Sequence, residues 1–306
     1  MYTPDNSIMS EVNPIPVTIG ITAYNEAANI GALLDRILTQ ALDRVVIERI
    51  LVVSSGSTDA TNAIVTEYTQ RDPRIELLIE ATRAGKASAL NWIIHSAETP
   101  HIIICSADLQ PDTHAVERLV APLALPDVGM TGCRPVPVND PNTFMGFAVH
   151  MQWNLHHYIA LEETKAGEMI AFRRIFERIP VTTAVDEASI EPLIRGQGYS
   201  VRYVPDAIVY NKGPETISDF LRQRRRIYAG HLAMTEQLGY SVSTMSGTRI
   251  LRLLLKHIDR RPKQFVWTWA VVILEAYGRW LGKRDHKNKH DHAIWEIAGT
   301  TKQLSN

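Results

Sequence analysis

Two carboxylates, Asp108 and Asp112, follow an apolar run that begins at Ile102. The run, Ile102–Ser106, has the composition of a buried strand in a parallel sheet, and it breaks into turn-forming residues. Open α/β sheets bind their ligands at the carboxyl ends of such strands. Hard cations such as Mg²⁺ or Mn²⁺ are often held there by one or two carboxylates together with substrate phosphates. The spacing alone fits a solvated acidic turn equally well.

Strands alternate with helices around this run, which predicts a parallel sheet covered by helices on both faces. Asn25 follows the first predicted strand and is expected to cap a helix, because apolar residues recur behind it at helical spacing. The predicted strands are Val17–Thr22, Ile50–Ser54, Ile75–Ile79, Ile102–Ser106 and Val128–Val136, with two short ones around Val201 and Ile208.

The composition describes a folded protein, with 306 residues, 45% of them hydrophobic, and a formal net charge of −1. The chain is long enough for a sizeable core and lacks the basic field expected of a nucleic-acid-binding protein. Cys105 and Cys133 lie in apolar contexts and form no CxxC pair, so we expect reduced core thiols in a cytosolic compartment. Residues 1–15 are expected to form a flexible tail and not a signal peptide.

Two common nucleotide-binding motifs are missing from the sequence. No GxGxxG follows the first predicted strand. Gly85-Lys86 lacks the upstream glycine of a P-loop, and its hydroxyl residue, Ser88, comes one position late. A dehydrogenase and a P-loop ATPase are therefore disfavoured. The sheet is expected to bind another nucleotide-like ligand through loop backbones and carboxylates.

Seven segments, in order from about residue 16 to residue 235, carry a resemblance to a known family. They are Val17–Ile30, Val52–Asp59, Gly85–Asn91, Ser106–Asp108, Gly167–Arg174, Asp186–Glu187 and Gln223–Arg226. Together they resemble the family 2 glycosyltransferases, which include cellulose, chitin and hyaluronan synthases and dolichyl-phosphate mannose synthases. The resemblance implies an α/β GT-A fold, with a Rossmann-like, mostly parallel sheet and helices on both faces. We place this catalytic domain at residues 16–245 and a basic, apolar helical region at residues 246–306.

The resemblance also implies a role for each segment. Asp108 matches the last acid of the D-x-D motif, which holds Mg²⁺ or Mn²⁺ on the donor diphosphate. Asp186 and Glu187 match the acidic pair that contains the catalytic base, and we choose Glu187 by aligning backwards from Gly198. The acceptor side would include Gly167, Glu168 and Arg173. The donor-binding residues would be Ala23, Tyr24, Asn25, Glu26, Ser54, Ser55, Gly56, Lys86, Ala107, Asp108, Gln223 and Arg226.

General chemistry gives independent reasons for these residue types. Breaking a sugar–diphosphate bond leaves negative charge on the diphosphate, which a cation with Lys or Arg can stabilise. An acceptor hydroxyl loses its proton during attack, and a positioned carboxylate can accept that proton. Direct attack from the opposite face of the sugar inverts the anomeric centre, as the resemblance also implies.

The sequence departs from the family pattern at four places. Ser54-Ser55 stands where an acidic pair usually precedes Gly56, and Ser106 replaces the first acid of D-x-D. The acidic pair at 186–187 has its two types exchanged, which leaves the choice of base open. Ile227 replaces the tryptophan associated with polymer-making members, which weakens the case for a processive synthase.

Residues 264–282 form an apolar stretch that is barely long enough to cross a bilayer. Glu275 and Arg279 lie inside it, and basic residues flank both of its ends. A helix lying in the membrane interface fits this pattern best, and a helix packed on the catalytic domain and a spanning helix are the alternatives. We therefore expect a membrane-surface contact through residues 249–284.

The sequence thus predicts an inverting, metal-dependent glycosyltransferase that uses a nucleotide-diphosphate sugar, with a UDP-sugar favoured. Its acceptor would be a hydroxyl of a lipid or glycan. We expect the protein at the cytoplasmic, inner face of the membrane. A nucleotide-sugar-binding protein without turnover is the first alternative, because Ser106 and Ile227 depart from the pattern. A sugar-nucleotide pyrophosphorylase is less well supported, since it would need a Gly-rich basic loop where this chain has Ala23–Glu26.

Overall fold

The computed structural model describes residues 14–164, 167–180, 186–238 and 247–288, without the side chains of residues 186–188, 234, 237 and 238. Eight strands form one sheet in the order β3-β2-β1-β4-β7-β6-β8-β5. The strands are β1 Ile15–Ala23, β2 Val45–Ser55, β3 Ile75–Glu80, β4 His101–Ser106, β5 Gln110–Pro111, β6 Val128–Pro137, β7 Ile170–Arg173 and β8 Ser200–Asn211. Of the expected N-terminal tail, residues 1–15, residues 1–13 lie outside the described residues.

Nine α-helices connect or follow these strands in the described part of the chain. They are α1 Ile30–Leu38, α2 Thr61–Arg71, α3 Lys86–Ser96, α4 Ala115–Val120, α5 Phe144–Glu162, α6 Asp186–Gly196, α7 Ile217–Leu238, α8 Gly247–His257 and α9 Pro262–Lys287. A short 3-10 turn, Ala121–Ala124, follows α4. The predicted alternation of strands and helices is confirmed from β1 to β4.

Helices cover both faces of the sheet, as the apolar runs predicted. Alternate residues of β4 enter different cores, because successive side chains of a strand point to opposite faces. Ile103 and Cys105 pack in the core with α1, α2 and α4. Ile102 and Ile104 pack in the core with α3 and α6. The uninterrupted apolar composition of β4 follows from this double burial.

The sheet is mixed, so the expectation of a mostly parallel sheet holds for one half of it. The strands β1, β2, β3 and β4 are parallel neighbours. Beyond β4, strand β7 runs antiparallel to both β4 and β6, and β5 runs antiparallel to β8. The short strands expected around Val201 and Ile208 are one long strand, β8, which continues because it pairs in parallel with β6 along most of its length.

The two cysteines lie inside the sheet as free thiols. Cys105 in β4 is 1% exposed and Cys133 in β6 is not exposed. Burial raises the pKa of the Cys105 thiol to about 12. Burial also raises the pKa of the Cys133 thiol well above its ordinary value. Both are core residues, as the sequence predicted.

The C-terminal helices pack on the sheet domain through α5 and α7. Phe220 of α7 and Val271 of α9 share a third buried cluster with Met145 and Ala148 of α5. Within the described residues, no helix is long and apolar enough to cross a membrane. The other side of α9 exposes large apolar side chains: Phe265, Val266, Trp269, Ile273, Tyr277 and Trp280.

Candidate active site

The carboxyl ends of β1, β2 and β4 lie side by side at one edge of the sheet. Thr22 pairs with Ser106, and Ala23 pairs with Ser54. The residues that follow each strand must therefore emerge close together. This register brings the predicted donor-binding residues Tyr24–Glu26, Ser54–Gly56 and Ala107–Asp108 to the same edge, where open α/β sheets bind ligands.

Asn25 links the loop after β1 to the loop after β2. Its backbone has a φ of 51°, in the left-handed region that asparagine tolerates better than most residues. The side-chain oxygen of Asn25 accepts a hydrogen bond of 2.8 Å from the backbone amide of Thr58. The backbone amide of Asn25 donates a hydrogen bond of 3.1 Å to the hydroxyl of Ser57. The expectation that Asn25 caps a helix is wrong, because α1 begins only at Ile30.

Glu26 and Asp59 strengthen the connection between these two loops. The Glu26 amide donates to the Thr61 hydroxyl at 2.8 Å, and the Ala27 amide donates to Asp59 at 3.0 Å. The buried Glu26 carboxylate accepts a hydrogen bond of 2.9 Å from the Asn29 amide group. The Glu26 carboxylate thus has a structural partner at the base of the loop, while Tyr24 and Asn25 are half-buried at its surface.

Gly56 allows the loop after β2 to touch the loop after β3. Its φ is 67°, and a Cβ at this position would lie 2.5 Å from the backbone nitrogen of Arg83. The Arg83 guanidinium lies over the ring of Tyr24, 4.2 Å from its centroid. Sequence reasoning gave Arg83 no role. Its position just before Gly85-Lys86 was a usable signal, because that loop ends at the same sheet edge.

Lys86 begins α3 and reaches the end of β4. Its ammonium nitrogen lies 3.0 Å from the Ser106 hydroxyl, which stands at the first position of the D-x-D motif. Gly85, with a φ of 92°, precedes it at the helix N-terminus. A lysine and a helix N-terminus both favour negative charge nearby, which suits a diphosphate.

Asp108 is half-buried in the turn after β4, whereas Asp112 is carried away from it. The intervening Gln110–Pro111 pairs with β8, and the Asp112 amide donates to the carbonyl of Ile208 at 3.0 Å. The two carboxylates therefore do not form one site. Asp108 alone remains beside Ser106 and Lys86 at the edge.

The metal ligands available around Asp108 suit a cation that a bound substrate also ligates. Among the residues that the structure describes, no three His, Cys, Asp or Glu side chains are grouped closely enough to hold a metal ion by themselves. One carboxylate with phosphate oxygens is, however, a common way to hold Mg²⁺, which keeps several waters. Asp108 could hold Mg²⁺ or Mn²⁺ in this way once a diphosphate is bound.

The predicted acceptor-side residues separate into two groups. Gly167 and Glu168 precede β7, whose start pairs with Ile104 near the carboxyl end of β4. Arg173 pairs with His101 at the opposite end of β4. Its guanidinium donates to the carbonyls of Val128 and Leu123 at 2.8 and 2.7 Å. Arg173 thus lies across the sheet from Asp108, and we leave it out of the candidate site.

Asp186 and Glu187 are the first residues of α6. The backbone therefore places both at the N-terminus of a helix, as expected. Their side chains lie outside what the structure describes, so the choice between them stays a prediction.

Gln223 and Arg226 lie on the long helix α7, three residues apart and half-buried. Arg224 and Arg225 stand between them in a polar run of the sequence, from which we expect side chains that are solvated or that face phosphate and are not catalytic. Instead, Arg224 forms an ion pair with Glu275 of α9 at 2.7 Å, and Arg225 forms one with Asp285 of α9. The reason is that α9 packs along α7 and supplies carboxylates to that face.

Comparison with known sequences decides the family. The family described as "Glycosyl transferase family 2" matches residues 18–183, more than half of the chain. This chain belongs to glycosyl transferase family 2. A second description, "Glycosyl transferase family group 2", matches residues 193–281 and so extends the match through α7 and most of α9. The resemblance carried by the seven segments is confirmed, and the chain is a glycosyltransferase by family.

Curated relatives of this family 2 chain are distant. The poly-beta-1,6-N-acetyl-D-glucosamine synthase of Staphylococcus aureus is 22% identical over 271 residues, covering 84% of this chain and 63% of the synthase. The chain thus spans less than two thirds of that relative's length. Glycosyltransferase AglE of Haloferax volcanii is 29% identical over 116 residues, 38% of each chain.

Solved structures of similar fold confirm the GT-A-type architecture. A mannosyltransferase of Pyrobaculum calidifontis, in complex with GDP-Man and Mn²⁺, superposes with a TM-score of 0.58 at 23% identity, covering 95% of this chain and 87% of that one. Glucosyl-3-phosphoglycerate synthase of Mycobacterium tuberculosis, in complex with Mn²⁺, UDP and phosphoglyceric acid, gives 0.51 at 16% identity, covering 72% and 78%. At these identities the likeness concerns the fold.

Proposed function

We propose that this family 2 chain transfers a sugar from a nucleotide-diphosphate donor to a hydroxyl acceptor, with inversion at the anomeric carbon and dependence on Mg²⁺ or Mn²⁺. The observation that carries the proposal is the contact between Lys86 and Ser106, two residues from Asp108, at the edge where β1, β2 and β4 end. That edge combines a cation for phosphate, a carboxylate for metal and loops for a nucleoside.

The donor nucleotide would bind across the joined loops. Tyr24, Asn25 and the Ser54–Gly56 turn would contact the base and ribose, with Arg83 holding the Tyr24 ring in place. Lys86 and Arg226 would bind the diphosphate oxygens through charge-assisted hydrogen bonds. Asp108 would hold the cation, which when bound offsets the negative charge of the leaving diphosphate.

The transfer step needs a base on the acceptor side. We assign this role to Glu187, whose carboxylate would accept the hydroxyl proton as the acceptor oxygen bonds to the anomeric carbon. The bond from that carbon to the diphosphate oxygen breaks, and its electron pair leaves with the nucleoside diphosphate. Asp186 would orient the acceptor, with Gly167 and Glu168 on the same side.

The nucleotide and sugar need a direct test, because the two similar structures carry GDP-Man and UDP respectively. We favour a UDP-sugar. A panel of UDP- and GDP-sugars with Mn²⁺ or Mg²⁺ and lipid or glycan acceptors, read by nucleotide release and product mass, should give turnover with one donor. Donor binding without turnover across the panel would favour the alternative of a sugar-nucleotide-binding protein, which the change to Ser106 motivates. The α- or β-configuration of the product establishes inversion or its absence.

We further propose that the exposed side of α8 and α9 contacts the inner, cytoplasmic face of a membrane. The apolar side chains Val266, Trp269, Ile273, Tyr277 and Trp280 recur three or four residues apart along α9, and they are between 37% and 69% exposed. Basic residues flank this stripe: Lys256, Arg260, Lys263, Lys283, Arg284 and Lys287. Such a combination fits an anionic lipid surface.

Two basic residues of α8, Arg249 and Arg252, form ion pairs with carboxylates near the end of α5, so they contribute less to the proposed membrane surface. Arg249 pairs with Glu163, and Arg252 lies 2.5 Å from Glu162 at the end of α5. The proposed contact therefore depends mainly on α9 and on the residues just before it.

A further inference from the structure

The helix α9 lies in close contact with α7, through two glycines one turn apart. A Cβ at Gly278 would stand 2.8 Å from the Cβ of Arg224. A Cβ at Gly282 would stand 2.5 Å from the carbonyl oxygen of Arg225. A side-chain carbon does not fit at either distance, so any larger residue must push the helices apart beside residues 224 and 225.

Two carboxylates of α9, the half-buried Glu275 and the buried Asp285, add ion pairs to this contact. Glu275 accepts hydrogen bonds from Arg224 at 3.0 Å and from Arg279 at 2.7 Å, and from Gln152 of α5 at 3.2 Å. Asp285 is 3% exposed and binds Arg225 through both of its oxygens, at 2.6 Å for Oδ1. A carboxylate this buried is costly without a partner, so each pair fixes the position of its arginine.

The geometry of a helix places Gln223 and Arg226 on the side of α7 opposite to these contacts. Residues advance by about 100° each along a helix, so positions 223 and 226 share one face and positions 224 and 225 share the other. The three successive cations Arg224–Arg226 are therefore divided. Two of them bind carboxylates of α9, and the third points from the other face.

We propose that α9 is a positioning element for Arg226, with Glu275 and Asp285 as positioning residues. By holding Arg224 and Arg225, α9 fixes the rotation and height of α7, and with them the point that the Arg226 guanidinium reaches. This inference rests on the proposed function, in which Arg226 binds the donor diphosphate. It goes beyond that function because it assigns a role to a helix to which the proposed function gives no part in binding the donor.

The test is a double-mutant cycle between Gly282→Ala and Arg226→Ala. Gly282→Ala forces a shift next to the carbonyl of residue 225, and misplacement by about 1 Å can cost about 10²-fold in rate. We expect kcat to fall by about 10- to 100-fold, and the Kd for UDP or GDP, whichever binds, to rise several-fold. In the Arg226→Ala background the same change should alter both values by less than about twofold, because coupled residues are non-additive.

Matched variants separate positioning from general damage. Gly247→Ala adds a methyl group where nothing lies within 4 Å and should leave both values unchanged. If Gly282→Ala does not fold, Glu275→Gln replaces it in the cycle, and Asp259→Asn is its control, because Asp259 is a half-buried carboxylate that pairs with Arg261 outside the contact between α7 and α9. Equal effects of the α9 change with and without Arg226 would overturn the proposal.

The measurements of the Kd for UDP or GDP allow this proposal to be tested separately from the proposed function. A wild-type chain that binds UDP or GDP but turns over no donor removes the proposed function, while the Kd cycle still decides the role of α9. A wild-type chain that binds neither nucleotide overturns both proposals.

Discussion

The ammonium nitrogen of Lys86 lies 3.0 Å from the hydroxyl oxygen of Ser106. A cation therefore faces a neutral group at the position where the D-x-D motif has its first carboxylate. Asp108 is left to supply the negative charge for a metal ion. We infer that this site binds its cation mainly together with the phosphates of a nucleotide.

Replacing Ser106 with aspartate should strengthen metal binding in the absence of nucleotide. The new carboxylate would raise the negative charge beside Asp108, and Lys86 would keep it ionised. We expect the Kd for free Mn²⁺ to fall by roughly tenfold, because ligand charge sets cation affinity at oxygen sites. Titration followed by electron paramagnetic resonance measures this directly. Ser106→Asn is the neutral control, and equal Mn²⁺ affinity in the two variants would contradict the assignment.

Removing the carboxylate of Asp108 should abolish turnover. Asp108→Asn keeps the shape of the side chain and loses the charge that holds the cation, so the metal-dependent part of nucleotide binding should disappear as well. Calorimetric titration with UDP or GDP, with and without Mn²⁺, shows this. Asp112→Asn should keep both properties, because that residue lies beside β5, away from the edge. Unchanged metal dependence in Asp108→Asn would remove this residue from the metal site.

Glu187→Gln should lower the transfer rate by about 10²–10⁴-fold, because the amide keeps the shape but accepts no proton. Donor affinity should stay as in the wild type. Asp186→Asn should act more mildly on the rate. Single-turnover rates of the two variants rank them, and the reverse order would make Asp186 the base.

Glu275 should make the contact between α7 and α9 sensitive to acid. Burial opposes its ionisation, but Arg224 and Arg279 outweigh burial and lower its pKa to about 2, from an ordinary value of 4.5. A carboxyl with a lowered pKa in the folded state contributes stability that is complete above about pH 4.5 and is lost as pH falls towards 2. Thermal unfolding of wild type and Glu275→Gln should therefore differ most at pH 7. The difference should shrink between pH 4.5 and 2, and a pH-independent difference would contradict the ion-pair account.

A charge in the exposed apolar stripe of α9 should weaken binding to membranes. Ile273 is 69% exposed, so Ile273→Glu leaves the packing on α7 intact while opposing insertion among acyl chains. We expect at least a fivefold loss of binding to vesicles of phosphatidylglycerol and phosphatidylcholine, on the order of 1–3 kcal/mol. Val46→Glu changes a 44% exposed residue near the amino end of β2 and is the control. Equal binding by both variants would argue against a lipid contact through α9.

The first half of the fold could be predicted from the sequence because its patterns are local. Ile102–Cys105 is apolar without interruption, as expected of a strand with both faces covered, and that strand is β4. The second half depended on pairing between distant segments. The short antiparallel strand β7 lies between β4 and β6, and no local sequence pattern predicts that position.

The residues of the candidate site could also be predicted where local patterns place them, and could not where distant pairing does. The predicted donor-binding residues Tyr24, Gly56, Lys86 and Asp108 lie at the carboxyl ends of neighbouring strands, because each follows a predicted strand or opens the next helix. Arg173 was misplaced, because antiparallel pairing carries it to the far end of β4. Arg224 and Arg225 were misread for a different reason. Their partners Glu275 and Asp285 lie about fifty to sixty residues later in α9, and no local pattern in the sequence relates α9 to α7.

The burial of Cys105 and Cys133 has a practical consequence for experiments on this protein. Both thiols are at most 1% exposed, and burial raises the pKa of each, so neither presents a reactive thiolate at neutral pH. The chain has two cysteines in all. A single cysteine introduced on the surface of α9 would therefore be the preferred site for a maleimide dye or spin label, without prior removal of native residues. Distances from that label to a bound nucleotide analogue could then follow α9 during turnover.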